Sequence, residues 1–248
     1  MPLPSLQLPP VRLPALQAHE WLDATFIHWR YEAADVQRLL PSGLTVQTYD
    51  GSAWVGLVVL KMRVGVPLRR SASPAIDVLE ANLRTYVTGP DGGTGVHFLS
   101  IDCDRWSVCV GGRMVGVRYF PAYQDMTRNG SSLAYSGDRY GGKASYDIAV
   151  EAGDAIHTGP LEEWLTGRFA QYSAVGPARL HVQLAHAPWP LRSATLTRCR
   201  QTVTGASGLP VPAAEPVVHF THGVRDVVLE LPTVFTPSPG FRTGEVTP

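Results

Sequence analysis

Three glycine-bearing turns constrain this chain more than any other feature. Asp50-Gly51, the Gly-Pro-Asp-Gly-Gly run at 89–93 and the Gly-Asp-Arg-Tyr-Gly-Gly run at 137–142 each stand between apolar, β-branched segments. Asp-Gly supplies the left-handed backbone that a two-residue hairpin turn needs, and glycine does the same in longer connections. Residues 44–49 and 53–66 therefore read as one hairpin, 78–88 and 95–103 as a second, and 131–135 and 143–150 as a third. Residues 179–185 alternate cleanly, with Leu180, Val182 and Leu184 against Arg179, His181 and Gln183, and 194–203 and 217–230 are later strands. Helical signals are short. Residues 33–40 place Val36, Leu39 and Leu40 on one face and stop at Pro41-Ser-Gly43. Residues 161–168 read as a second helix, and 106–117 fit a short helix or a strand. Many strands, tight turns and two or three short helices predict a mainly β (α+β) chain, an antiparallel barrel or sandwich.

No repeat or linker interrupts this pattern, so 18–234 is expected to be one domain. Residues 1–17 are studded with proline and predict an extended tail, with the first ordered element near Trp21; 235–248 predict a second loose end. The N-terminus lacks the basic and apolar regions of a signal peptide, and no stretch is long enough to span a bilayer. Three cysteines make no disulfide framework, so a cytoplasmic setting is expected. The 21 Lys and Arg residues balance 21 Asp and Glu residues, which gives no general pull toward nucleic acid or anionic membrane. The expected partner is a small-molecule ligand or substrate, with association between copies of the chain left open.

The chain offers few reactive groups. On a strand, His219 and His222 point to opposite faces, as do His181 and His186, so neither pair converges on a metal. Neither a metal nor another cofactor is expected. No Gly-x-Ser-x-Gly elbow occurs. Cys103 lies between Asp102 and Asp104, whose charges oppose a thiolate, so Cys103 and Cys109 read as small buried thiols. The only lysines are Lys61 and Lys143. The strand at 78–88 is more informative: Glu80, Asn82, Arg84 and Tyr86 share one of its faces. Such a face inside a barrel orients a polar ligand through a carboxylate and a guanidinium. On an exposed face the same residues make a surface ion pair worth little.

Long segments at 26–63, 79–102, 161–172 and 186–191 together resemble the YqjF-like family, a domain of unknown function grouped with the acetoacetate decarboxylase-like superfamily. The resemblance runs from about Trp21 to Val228. It implies a closed antiparallel β-cone or barrel with peripheral helices and an internal cavity. Acetoacetate decarboxylases form a Schiff base on a lysine within Gly-x-Pro-Lys-Lys. That motif aligns with Gly116-Val-Arg-Tyr119-Phe120, so Tyr119 and Phe120 stand at the lysine positions and neither can form an iminium. The family's pocket glutamate aligns with Glu80. Lys61, beside Arg63 on a strand face, is the remaining candidate lysine if it points inward.

Three readings follow. In the first, the chain acts on a small carbonyl or carboxylate compound by enolisation, dehydration or an aldol-type step without a Schiff base. Glu80 is then the general acid or base, Arg84 the anion anchor and Tyr119 a proton donor, with Asn82 and Lys61 in contact with the ligand. In the second, the same cavity holds a ligand without chemistry, walled by Trp54, Phe98 and Tyr119. In the third, side chains fill the barrel and no ligand cavity remains near Glu80.

Overall fold

The computed structural model describes residues 15–65 and 75–235. The expected tails lie largely outside these residues, but their inner ends do not: β1 (Ala15–Tyr31) begins well before Trp21, and β14 (Thr233–Phe235) includes position 235. After α1 (Ala33–Gln37) the chain runs through β2 (Thr45–Val46), β3 (Thr48–Tyr49), β4 (Ser52–Gly65), β5 (Ile76–Thr88) and β6 (Thr94–Cys103). Then come α2 (Trp106–Met114), β7 (Tyr119–Asn129), β8 (Ser132–Arg139), β9 (Ser145–Ala155) and α3 (Pro160–Thr166). β10 (Ala170–Val175), β11 (Ala178–Ala185), β12 (Arg192–Gln201), α4 (Val203–Ala206) and β13 (Val217–Glu230) precede β14.

The second and third hairpins form where the turns place them, but of the first only Thr48 and Tyr49 pair with β4, while β2 crosses to pair with the end of β5. Asp50 and Gly51 both take positive φ, 52° and 72°, the two-residue geometry whose twist matches the strands it joins. Among the described residues, the fourteen strands share one mainly antiparallel sheet, and further pairings link β11 to β13 and β5 to β6. Two pairings are parallel, β6 with β7 and β6 with β10, so the wholly antiparallel expectation needs correction. Parallel neighbours need a crossover, and α2 supplies it between β6 and β7. Sequence pattern missed β7, which carries Pro121 and many polar residues, and the short β10.

β4 is buried on both faces. Leu57 and Val59 pack with Ile27, Leu83, Leu99 and Ile148 on one side. Val58, Leu60 and Met62 pack with Phe26, Val78 and Trp189 on the other. Each such side chain contributes roughly 1.5–3 kcal/mol when fully buried, which anchors β4 and β5 as the rigid wall of the site. Among the described residues no helix is long and apolar enough to cross a membrane.

Candidate functional site

β5 carries Glu80, Asn82 and Arg84 two residues apart, so all three project from one face. That face belongs to the second core, and the register sets what lies opposite: Leu60 beside Glu80 and Val58 beside Asn82 on β4, with Cys103 and Ile101 facing the same pair on β6. A bulge between Leu83 and Arg84 shifts the β5–β6 register. It lets Phe98 and Ile101, three apart on β6, line the same chamber, which strict alternation forbids.

The chamber has a volume of about 90 Å³. Its polar wall is made by Glu80, Asn82, Arg84 and Tyr119, and the rest is largely aromatic and aliphatic. Asn82 Nδ2 donates to Glu80 Oε1 at 3.1 Å, and the Tyr119 hydroxyl donates to Glu80 Oε2 at 3.1 Å. Tyr119 arrives from the start of β7, beside Ile101 in the parallel ladder. Its ring lies so close to Gly112 that a Cβ there would come within 2.2 Å of ring carbons. Burial pushes the Glu80 carboxyl above the ordinary carboxylate range, against the opposing pull of Asn82, Tyr119 and Arg84. Burial, and then the charge of Glu80, holds the Tyr119 hydroxyl well above its usual value.

Arg84 spends one guanidinium nitrogen on the Leu165 carbonyl, at 3.3 Å, and lies 5.6 Å from the centre of the Phe26 ring. Its Nε is buried with no partner, and so is Asn82 Oδ1. A donor and an acceptor are thus left unsatisfied on one strand face beside the cavity, where buried polar groups normally find partners.

Two candidate residues lie elsewhere. Lys61 has the opposite parity to Leu60 and Met62, so it leaves the chamber and pairs with Asp77, Nζ to Oδ2 at 2.8 Å. Arg63 shares that face as expected, and it too binds Asp77. Trp54 has the chamber's parity but sits beyond Arg84, where it packs with Tyr86, Val96 and Leu165 and donates to the Tyr49 carbonyl. Tyr86 extends the Glu80 face, but it too packs in this neighbouring cluster, where its hydroxyl bonds His28 Nε2 and the Leu165 carbonyl, each at 2.8 Å. Lys143 lies by α4, away from the chamber. The thiols of Cys103 and Cys109 are buried, and no group of side chains among the described residues is arranged to hold a metal ion.

Sequence reading missed the aromatic cap. Trp21 stacks on Trp189 at 5.7 Å and 12°, and Phe26 meets Trp189 edge-on at 5.1 Å. The proline-flanked Trp189 was the one local signal, since it stands in a loop with no strand to orient it. Also missed were His19 and Gln171. With Met62, Tyr119 and Leu229 they border both the chamber and a vestibule of about 400 Å³.

The model of the DUF2071 family, described as an uncharacterized conserved protein, matches residues 18–225. The chain belongs to this YqjF-like family. The uncharacterized protein YqjF of Bacillus subtilis (strain 168) is 31% identical over 209 residues, covering 81% of this chain and 85% of that protein. Among solved structures, the enduracididine biosynthesis enzyme MppR complexed with pyruvate matches with a TM-score of 0.64 at 11% identity, covering 90% of this chain and 91% of that one. Acetoacetate decarboxylase from Legionella pneumophila matches with a TM-score of 0.57 at 15% identity, covering 95% and 98%. At such identities the likeness establishes an acetoacetate decarboxylase-like fold. Of the two residues expected at the lysine positions, Tyr119 reaches Glu80, while Phe120 packs under the guanidinium of Arg139, 3.8 Å from its ring centre.

Proposed function

We propose that this protein binds a small oxo acid in the chamber and moves a proton at the carbon beside its carbonyl, without a covalent lysine intermediate. The observation that carries the reading is the pair of unsatisfied atoms, Arg84 Nε and Asn82 Oδ1, beside the Glu80–Tyr119 hydrogen bond. A carboxylate is the natural partner for a partly desolvated guanidinium. Asn82 Oδ1 then accepts from a hydroxyl or enol of the bound molecule. Tyr119 stays protonated and can donate to a carbonyl oxygen as negative charge develops on it. Glu80, held toward its neutral form by burial, gives a proton as acid and takes one back as base, which serves enolisation, dehydration or an aldol-type step. Both lysines of the chain lie outside the chamber, which supports a route with no iminium. The pairings linking β11 to β13 and β5 to β6 support reading the sheet as a closed cone around this chamber. The pyruvate bound by MppR supports pyruvate as the first compound to try.

The alternative is a ligand carrier without chemistry. It is favoured by the fact that both Glu80 oxygens already have partners. Exchange of pyruvate methyl protons in D₂O, followed by NMR, separates the two. The enzyme reading expects exchange that is lost in Glu80→Gln while pyruvate still binds. Binding with no exchange above buffer, or equal exchange in Glu80→Gln, overturns the catalytic role.

A further inference from the structure

The vestibule differs in chemistry from the chamber it adjoins. Among its described lining residues, Val64, Val108, Val115, Val117, Val182 and Leu229 form the walls, and Glu230 is the one carboxylate. His19 stands at the neck, and burial lowers its imidazole to about 4, so the neck carries no charge from it at neutral pH. The chamber is small, about 90 Å³ against about 400 Å³ for the vestibule. A ligand whose head group meets Arg84, Glu80 and Tyr119 has room for only a few further atoms there. Anything longer must pass His19, Met62 and Tyr119 into the vestibule, where it meets a largely apolar surface.

We infer that the vestibule is a tail site and that the preferred substrates are oxo acids carrying an unbranched aliphatic chain of several carbons. This rests on the oxo-acid reading of the chamber. The anionic head satisfies Arg84, and the chain exchanges water for the valine-lined walls. Helix α2 carries the device that keeps the vestibule open. Gly111 lines it, and a Cβ built there meets nothing within 4 Å. Next to it, Gly112 has no room for a Cβ because the Tyr119 ring occupies that space. The two adjacent glycines thus serve different ends, one leaving space for a ligand and the other seating Tyr119.

The test is a homologous series of 2-oxo acids, pyruvate, 2-oxobutanoate, 2-oxohexanoate and 2-oxooctanoate, titrated calorimetrically into the full chain. Each added methylene should tighten binding about fourfold until the vestibule is full. Gly111→Leu places a side chain in open space and raises helix propensity, so it should fold. Ser107→Leu, on the same exposed helix, is the second variant. Both should leave pyruvate affinity unchanged and flatten the dependence on chain length. Equal affinity along the series, or an undiminished increment in both variants, overturns the tail site while leaving the chamber reading intact. Failure of every member to bind, pyruvate included, overturns the chamber reading and the tail site with it.

Discussion

Arg84→Met separates an anion anchor from a structural arginine, because the two roles predict opposite balances of stability and binding. The substitution keeps most of the side-chain length and removes the guanidinium. The hydrogen bond to the Leu165 carbonyl is long, 3.3 Å, and its loss costs about 0.5–1 kcal/mol. The contact with Phe26 at 5.6 Å contributes about 0.5 kcal/mol. Against this, the variant no longer buries an unpartnered Nε, a defect worth about 1–3 kcal/mol. The folded state should therefore lie between about 0.5 kcal/mol less stable and about 2 kcal/mol more stable than the parent. Binding should behave otherwise. Losing a charge-assisted bond to a carboxylate costs about 2–3 kcal/mol, a roughly 30- to 150-fold weakening for pyruvate. Urea unfolding gives the first quantity and calorimetric titration the second. A variant destabilised by more than about 3 kcal/mol that binds pyruvate as tightly as the parent would refute the reasoning.

Gly112→Ala drives a methyl group into the Tyr119 ring, so it should cost about 1–3 kcal/mol and lower proton exchange by displacing the hydroxyl from Glu80; unfolding and exchange measured on one preparation check both. Replacing Lys61 and Lys143 together by methionine should leave pyruvate binding and exchange unchanged, and borohydride treatment of the parent with pyruvate should give no adduct by mass spectrometry. The pH dependence of stability has a determinable sign. His19 titrates at about 4 in the folded chain against 6.5 unfolded, so its contribution is present above 6.5 and lost as pH falls toward 4. That contribution is at most about 3 kcal/mol. Asp102, raised to about 6 by burial despite Arg139, acts oppositely: its contribution is full below about 3.8 and is lost as pH rises through 6. The two effects overlap, so the difference between the parent and His19→Gln, followed by urea midpoints from pH 7 to 4, is the useful quantity. It should shrink on acidification, and a constant difference would show that His19 is not a buried neutral group.

Much of the site is legible in the amino-acid sequence, and the reason is local. A strand alternates with period two, so Glu80, Asn82 and Arg84 had to share a face wherever that strand lay. The turn residues fixed which segments pair, since Asp50-Gly51 adopts a backbone that other residues resist. That the chain holds only Lys61 and Lys143 as lysines was a matter of residue identity alone. Local signals could not say which face is inside. β4 is apolar on both faces, so the side on which Lys61 emerges depended on the pairing of Leu60, not Lys61, with Glu80. Trp54 has the chamber's parity yet lies past its end, a distance along the strand that composition does not encode. The bulge beside Arg84, the crossover that brings Tyr119 to Glu80, and the loop that brings Trp189 over the chamber join residues far apart in the chain. Such contacts exist only once the sheet has formed. The sequence by itself therefore determined which chemical groups share a strand face and that only two lysines are on offer, while the tertiary structure alone decided that this face encloses a cavity and which partners meet it there.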